Sequence, residues 1–355
     1  MSAALYPGET VTESAGYPVL AHFLGGRRDL PLVAFITGGG VLARIAYGHP
    51  EGRPADFLFH WLAEAGFSAL GLSYPMAHPV FDGTYPQFGV PDWGAQSAQE
   101  IARAVERNGL ARSVIVMAWS MAGHIAEPVT VALKAHGIEV ELFVPMAAST
   151  ALPSPLPGIY GLKPAASGLA QVEGPYLNNL LRLLRNQNDI AGHTAIDPAL
   201  FPSQFTGDFP INLLVGGMRY RNGTIVADPL ADAQDTGAFR YANFPPIAVL
   251  THESPLDVRH AFIDRAAWGF YMSQALLENF IYSKVKDFAA LPHEHWLKLN
   301  ALIRQAPALL TELLSGNHMF FVGEYGARKT VAALIELRRR SAVLIAEIEA
   351  CTDAR

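Results

Sequence analysis

The stretch that most restricts what this chain can fold into is Ser113-Val-Ile-Val-Met-Ala-Trp-Ser-Met-Ala-Gly-His124. Val114, Ile115, Val116 and Met117 form a run that reads as a strand buried on both faces. The run passes through Ala118-Trp119-Ser120-Met121-Ala122-Gly123 into a helix-compatible segment. A strand, a serine flanked two residues either side by almost no side chain, then a helix, is the recipe for a turn sharp enough to present one hydroxyl. The usual small residues at these flanks are glycines; here both are alanine, with Gly123 just after.

The surrounding pattern alternates strand and helix. Residues 9–24 read as two short strands joined by a Gly-Tyr-Pro turn, and Pro31–Thr37 as a continuously apolar strand ending in Gly38-Gly39-Gly40. Phe57, Leu58, Trp61, Leu62 and Ala65 share a helical stripe closed by Gly66. Ser68–Tyr74 is the next strand, a Pro-rich loop fills 75–91, and a helix is expected from Asp92 as N-cap to Gly109. After the Ser120 turn, a helix to about Ala135 and a strand at Val140–Val144 continue the rhythm, which argues for a mostly parallel sheet with helices on both faces.

Near residue 150 the texture changes. Residues 151–240 hold nine prolines and one clear amphipathic helix, about Tyr176–Gln187, yet carry Tyr160, Tyr176, Phe201, Phe205 and Phe209. Those aromatics argue for a folded insertion, a cap, between a first half (1–150) and a second half (241–355). The rhythm resumes with a strand at Pro246–Thr251. Helical stretches are expected at Val258–Tyr282 and Trp296–Leu314, and a closing helix whose apolar face is Val331, Leu334, Ile335, Ala342 and Ile345.

Composition excludes several classes. The 355 residues carry a net charge of −6 with no basic cluster, so nucleic acid is not an expected partner. The single cysteine, Cys351, rules out an intrachain disulfide and a cysteine metal site. No leader pattern and no membrane-length apolar run is read, so a cytoplasmic location and no membrane partner are expected. Oligomeric state is left open, a homodimer included.

Three features converge on Ser120. Gly38 and Gly39 allow unobstructed approach to backbone N–H donors, and with the N–H of Met121 could bind an oxyanion. The competing reading of this loop, a dinucleotide site, uses the G-x-G-x-x-A spacing of Gly38, Gly40 and Ala43. Two preceding strands and the lack of an acidic residue closing the following strand count against it. Glu253 and Asp257 both follow the 246–251 strand and could orient an imidazole; Glu253, nearer the strand end, is preferred. Of twelve histidines, only His318 combines a loop, a preceding glycine (Gly316) and the last place in the chain. His124 reads as a helix-face residue, and His293 with His295 as a solvated loop, since no third ligand is spaced for a metal.

The order Ser120, Glu253 or Asp257, His318, with Ala118-Trp-Ser-Met-Ala-Gly123 and Gly316-Asn-His-Met-Phe-Phe, resembles the α/β-hydrolase superfamily over most of the chain. Thr37 stands where many members have histidine, and the helical stretch between Asp257 and His318 is longer than most carry. The resemblance implies an α/β-hydrolase fold with a cap, and an acyl-serine reaction on a carboxylic ester or thioester. The aromatic composition of the cap suggests a small, apolar or aromatic substrate, and no cofactor or metal is required. A serine at the turn argues against chemistry that needs a carboxylate nucleophile. Acyl transfer, a lyase on the same fold and a catalytically silent ligand-binding relative are the alternatives.

Overall fold

The computed structural model describes residues 5–152 and 163–352. An eight-stranded sheet forms its centre. β1 (Glu9–Ser14) and β2 (Tyr17–Leu24) make an antiparallel hairpin. The turn is Ala15-Gly16, both at positive φ (51° and 82°), the backbone that a tight two-residue hairpin demands. Tyr17 and Pro18, expected in the turn, already belong to β2.

The hairpin pairs antiparallel with β4 (Ala69–Ser73). From there every neighbour is parallel: β4, β3 (Leu32–Ile36), β5 (Ser113–Trp119), β6 (Glu139–Met146), β12 (Val249–Thr251) and β13 (Thr311–Leu313). β3 and β4 are buried at every residue, and β5 at all but Ser113, as their unbroken apolar runs require. The Val90–Asn108 and Ala126–Ala135 helices pack on each other, as do Leu58–Glu64 and Glu324–Thr352.

The structure corrects four local expectations. Asp92 is not the N-cap of its helix: Gly89 is, and Asp92 sits three residues in, accepting the Gly89 N–H at 2.9 Å. The stretch expected as a helix to Leu314 ends at Leu309, and Thr311–Leu313 forms the edge strand β13. Pairing with β12 wins over local helical pattern there, four residues beyond Pro307. In the closing helix Ile335 and Ala342 face outward; Val331, Leu334, Leu337, Leu344 and Ile348 form the buried face. His293 and His295 open the His293–Leu309 helix rather than a loop.

Between β6 and β12 lies the Pro-rich segment. Its described part holds a three-stranded antiparallel sheet, β7 (Lys163–Pro164), β8 (Leu169–Gln171) and β9 (Phe209–Pro210). It also holds the hairpin β10 (Met218–Arg221) and β11 (Thr224–Ala227), and the long Pro175–Ala191 helix. Tyr160, Pro153, Pro155 and Pro157 lie outside the described residues. Phe201, Phe205 and Phe209 are buried; backbone bonds from Leu42 to Phe205 and Gly207 to Gly40 seat the segment on the glycine loop after β3, and one from Ala77 to Asp208 ties it to the loop after β4.

Candidate active site

β5 delivers Ser120 at its C-terminal end. Trp119 has an extended backbone, Ser120 turns to φ 59°, and a 3₁₀ turn over Ser120–Ile125 leads into the next helix. Positive φ on a residue with a β-carbon is strained and persists only where its surroundings enforce it. Here the enforcement is close packing. A β-carbon on Gly38 would lie 2.6 Å from the Ser120 β-carbon, and one on Gly123 would lie 2.0 Å from the Ser149 carbonyl oxygen. Ser149 in turn donates its N–H to the Ser120 carbonyl at 3.0 Å. The demand for glycine thus falls on Gly123, one residue past the usual position, while Ala118 and Ala122 fit fully buried.

The glycine loop is held through its peptide groups. Tyr74, at the end of β4, donates its hydroxyl to the Gly38 carbonyl (2.8 Å) and accepts the Gly40 N–H (2.7 Å). Tyr176, from the Pro175–Ala191 helix, donates to the Gly39 carbonyl (2.9 Å). In a planar trans peptide the C=O and N–H point in opposite directions. The Gly39 N–H therefore points away from Tyr74, whereas the Gly40 N–H is already engaged. Thr37 turns its hydroxyl onto the Val41 carbonyl at 2.7 Å.

His318 faces the same cleft as Ser120. Its loop is fastened by the Trp119 indole N–H, which donates to the His318 carbonyl at 2.9 Å. Asn317 donates to the Leu183 carbonyl and to Asn186 Oδ1. Gly316 adopts φ 129° in a space that Gln187 and Phe320 leave to no side chain.

The carboxylate on His318 is Asp257, whose Oδ2 accepts from Nδ1 at 2.8 Å. The preference for Glu253 fails. Glu253 is exposed on a different surface groove with Leu313 and Ser315, while Asp257 is only 6% exposed and lines the cleft. After β12 the chain makes a 3₁₀ turn over Pro255–Asp257, begun by the Ser254 hydroxyl accepting the Leu256 N–H, and that turn carries Asp257 inward.

Two histidines accompany this pair. His252 Nδ1 accepts the Ser254 N–H, which leaves the proton on Nε2, 3.1 Å from the same Asp257 Oδ2. That nitrogen is a donor, so His252, Asp257 and His318, clustered closely enough to suggest a metal, are joined instead by hydrogen bonds to one oxygen. His260 also lines the cleft. Its ring stacks on that of His318 (centroids 4.8 Å, 22°), and its Nδ1 lies 2.8 Å from Asp264 Oδ2. The sequence gives His252 no role and sets His260 aside as lying one turn into a helix after Asp257. The signal for His260 was its place three residues after Asp257 at the start of a helix, on the same face. His124, expected on a helix face, is fully buried, with Nδ1 3.0 Å from the Leu213 carbonyl oxygen.

Electrostatics follow from burial and neighbours. Burial alone would raise Asp257, but the charges of His260 and His318 and the hydrogen bonds from His252 and His318 hold it well below the usual carboxylate range. Burial lowers His318 below its ordinary 6.5 despite the pull of Asp257, and His260 and His252 push the same way. His260 is raised: burial opposes its charge, but Asp257 and Asp264 outweigh it. This direction favours the neutral imidazole on His318 at neutral pH.

The cleft is a cavity of about 50 Å³. Its walls are mainly apolar: Met121, Tyr176, Leu180, Leu183, Phe209 and Leu214, four of them from the Pro175–Ala191 helix or β9. Among the described residues no helix is long and apolar enough to cross a membrane.

The sequence matches no protein-family model and no curated protein sequence. Solved structures do share its architecture. A thermophilic esterase from Thermogutta terrifontis, in a malate-bound structure, aligns with a TM-score of 0.50 at 14% identity, over 94% of this chain and 98% of that one. An AqdC variant that recognises and ring-cleaves the Pseudomonas quinolone signal aligns at 0.49 and 12% identity, over 93% and 99%. An esterase from Pyrobaculum calidifontis aligns at 0.45 and 15%, over 95% and 85%. The likeness to the first of these, at 14% identity, speaks to architecture alone. With the eight-stranded, mostly parallel sheet and the strained serine at the end of its central strand, this chain has the α/β-hydrolase fold.

Proposed function

We propose that the protein is a serine hydrolase that cleaves a small carboxylic ester or thioester through an acyl-serine intermediate. The observation that carries the reading is Ser120 at φ 59°, sharing a cleft with an imidazole whose Nδ1 is hydrogen-bonded to a buried carboxylate at 2.8 Å. Strain of this kind on a serine has no use in the sheet and exposes the hydroxyl to the cleft.

In the first half-reaction the Ser120 oxygen attacks the carbonyl carbon while its proton passes to His318 Nε2. The negative charge that develops on the carbonyl oxygen is met by the N–H groups of Met121 and Gly39. Gly38, which the sequence also offered as a donor, has the separate task of leaving room for the Ser120 β-carbon. The tetrahedral species collapses, its bond to the alcohol or thiol breaks, and His318 returns the proton to that leaving group. Water then repeats the sequence on the acyl-serine, freeing the acid and restoring Ser120. Asp257 keeps the His318 proton on Nδ1 and stabilises the imidazolium in each transition state.

The apolar walls and the narrow free space of the cleft, about 50 Å³, suit a short apolar acyl group. A panel of p-nitrophenyl esters and acyl thioesters of rising chain length tests this. Turnover of acetyl to butyryl members is expected, with kcat/KM at least about tenfold lower for octanoyl. Equal rates along the series would contradict the size argument. No turnover of any member above that of Ser120→Ala would contradict the function.

A further inference from the structure

We propose that Tyr176 is a positioning residue which holds the oxyanion-binding loop in its working shape only while the Pro175–Ala191 helix is seated over the cleft, an inference that rests on the acyl-serine reading above.

Three consecutive glycines make the most permissive backbone a chain can have, so Gly38-Gly39-Gly40 needs outside restraint to aim one N–H at one point. Tyr74 provides half of it. Its single hydroxyl bridges the Gly38 carbonyl and the Gly40 N–H, and it is fixed in the core between Phe88 and Trp93. That clamp leaves the Gly39–Gly40 peptide held at its N–H end only. Tyr176 closes the other end by donating to the Gly39 carbonyl at 2.9 Å. With both ends tied, that peptide cannot rotate, and the preceding Gly38–Gly39 peptide, which carries the Gly39 N–H, is fixed with it.

Tyr74 directly follows β4 of the central sheet, but Tyr176 belongs to the Pro175–Ala191 helix. The same helix also fastens the other side of the site. The Leu183 carbonyl and Asn186 Oδ1 accept from Asn317, next to His318, and Gln187 donates to the Val322 carbonyl. One helix therefore touches both the loop that would bind the oxyanion and the loop that carries the imidazole. Its displacement, as when a substrate enters past Leu180 and Leu183, would loosen both, and its return over a bound substrate would restore them. Water that reaches Ser120 while the helix is raised meets an incomplete site.

The test uses the full chain with Tyr176→Phe, which keeps the ring and removes the hydroxyl. The expected result is a kcat about thirtyfold lower with KM within threefold of wild type, because the lost restraint acts on the transition state. Affinity for an alkyl boronic acid, which forms a tetrahedral adduct on serine, should fall by a similar factor, while the product carboxylic acid binds as before. Deuterium exchange at the Gly40 amide should quicken, a readout that does not depend on turnover. If the Ser120 reading were wrong, Ser120→Ala would keep activity, and Gly40 exchange would still decide the loop claim. Unchanged Gly40 exchange with kcat within twofold of wild type, at an unchanged melting temperature, would overturn the proposal. A loss confined to KM would overturn it too, since Tyr176 would then be only a wall of the cleft. Tyr176→Leu, which removes ring and hydroxyl together, should show both the kcat loss and a raised KM.

Discussion

Replacing Asp257 by asparagine is expected to lower kcat by about 10⁴-fold, whereas Glu253→Gln should leave it within about twofold. The two carboxylates are four residues apart on the same loop, yet their surroundings differ in every relevant way. Asp257 is buried, and its Oδ2 receives both His318 Nδ1 and His252 Nε2. An amide there carries no charge to stabilise the imidazolium, and by offering an N–H it can turn His318 to the tautomer whose Nε2 already bears the proton. Glu253 is exposed and reaches no part of the cleft. The pH profile supplies a second readout. The wild-type acid limb of kcat/KM should lie below 6.5, because burial lowers His318 and the base form persists to lower pH. The Asp257 charge raises His318, so removing it should move the residual acid limb of Asp257→Asn further down. Steady-state kinetics across pH on both variants check this; equal losses in the two would return the choice between them to open ground.

Gly123→Ala should be the most damaging single methyl group that can be added near the site. Its β-carbon would fall 2.0 Å from the Ser149 carbonyl oxygen and about as close as real atoms pack to Trp268 and Ala148 (3.0 and 3.1 Å). The obstacle is backbone on one side and a buried indole on the other, so neither can swing away. A loss of about 3 kcal/mol is expected from overpacking of this severity. Gly109→Ala provides the contrast: φ is 59°, but nothing lies within 4 Å, so only backbone strain, about 1 kcal/mol, applies. Denaturant unfolding of both measures the difference. A Gly123→Ala loss below that of Gly109→Ala would mean the turn is not packed as described.

Much of this was legible because burial on both faces leaves a plain mark. The strands Leu32–Ile36, Ala69–Ser73 and Ser113–Trp119 carry no polar side chain except a serine at one end of the last two. Ser120 stood out since few residues but small ones fit around so sharp a turn. His318 followed from glycine and chain position. Three things were hidden. β13 is three residues long and follows a helix with no turn signal between, so only its pairing with β12 reveals it. Asp257 is hidden because Glu253 lies nearer the strand end, whereas the 3₁₀ turn over Pro255–Asp257 buries Asp257. His252 and His260 gain their meaning from one carboxylate and one stacked ring, contacts that depend on how the loop folds back. The interplay of Tyr74 and Tyr176 with the glycine loop joins residues 34 and 137 positions from their partners, beyond the reach of local pattern.

The central claim is that Ser120 is an activated nucleophile, and intact-mass spectrometry after exposure to a fluorophosphonate tests it most directly. Wild type should gain the mass of a single phosphonyl group, the Ser120 oxygen displacing fluoride from phosphorus, and Ser120→Ala should gain none. A small alkyl probe is the right choice, given a cavity of about 50 Å³. A folded wild-type protein that stays unmodified, or an adduct that persists in Ser120→Ala, would contradict the account.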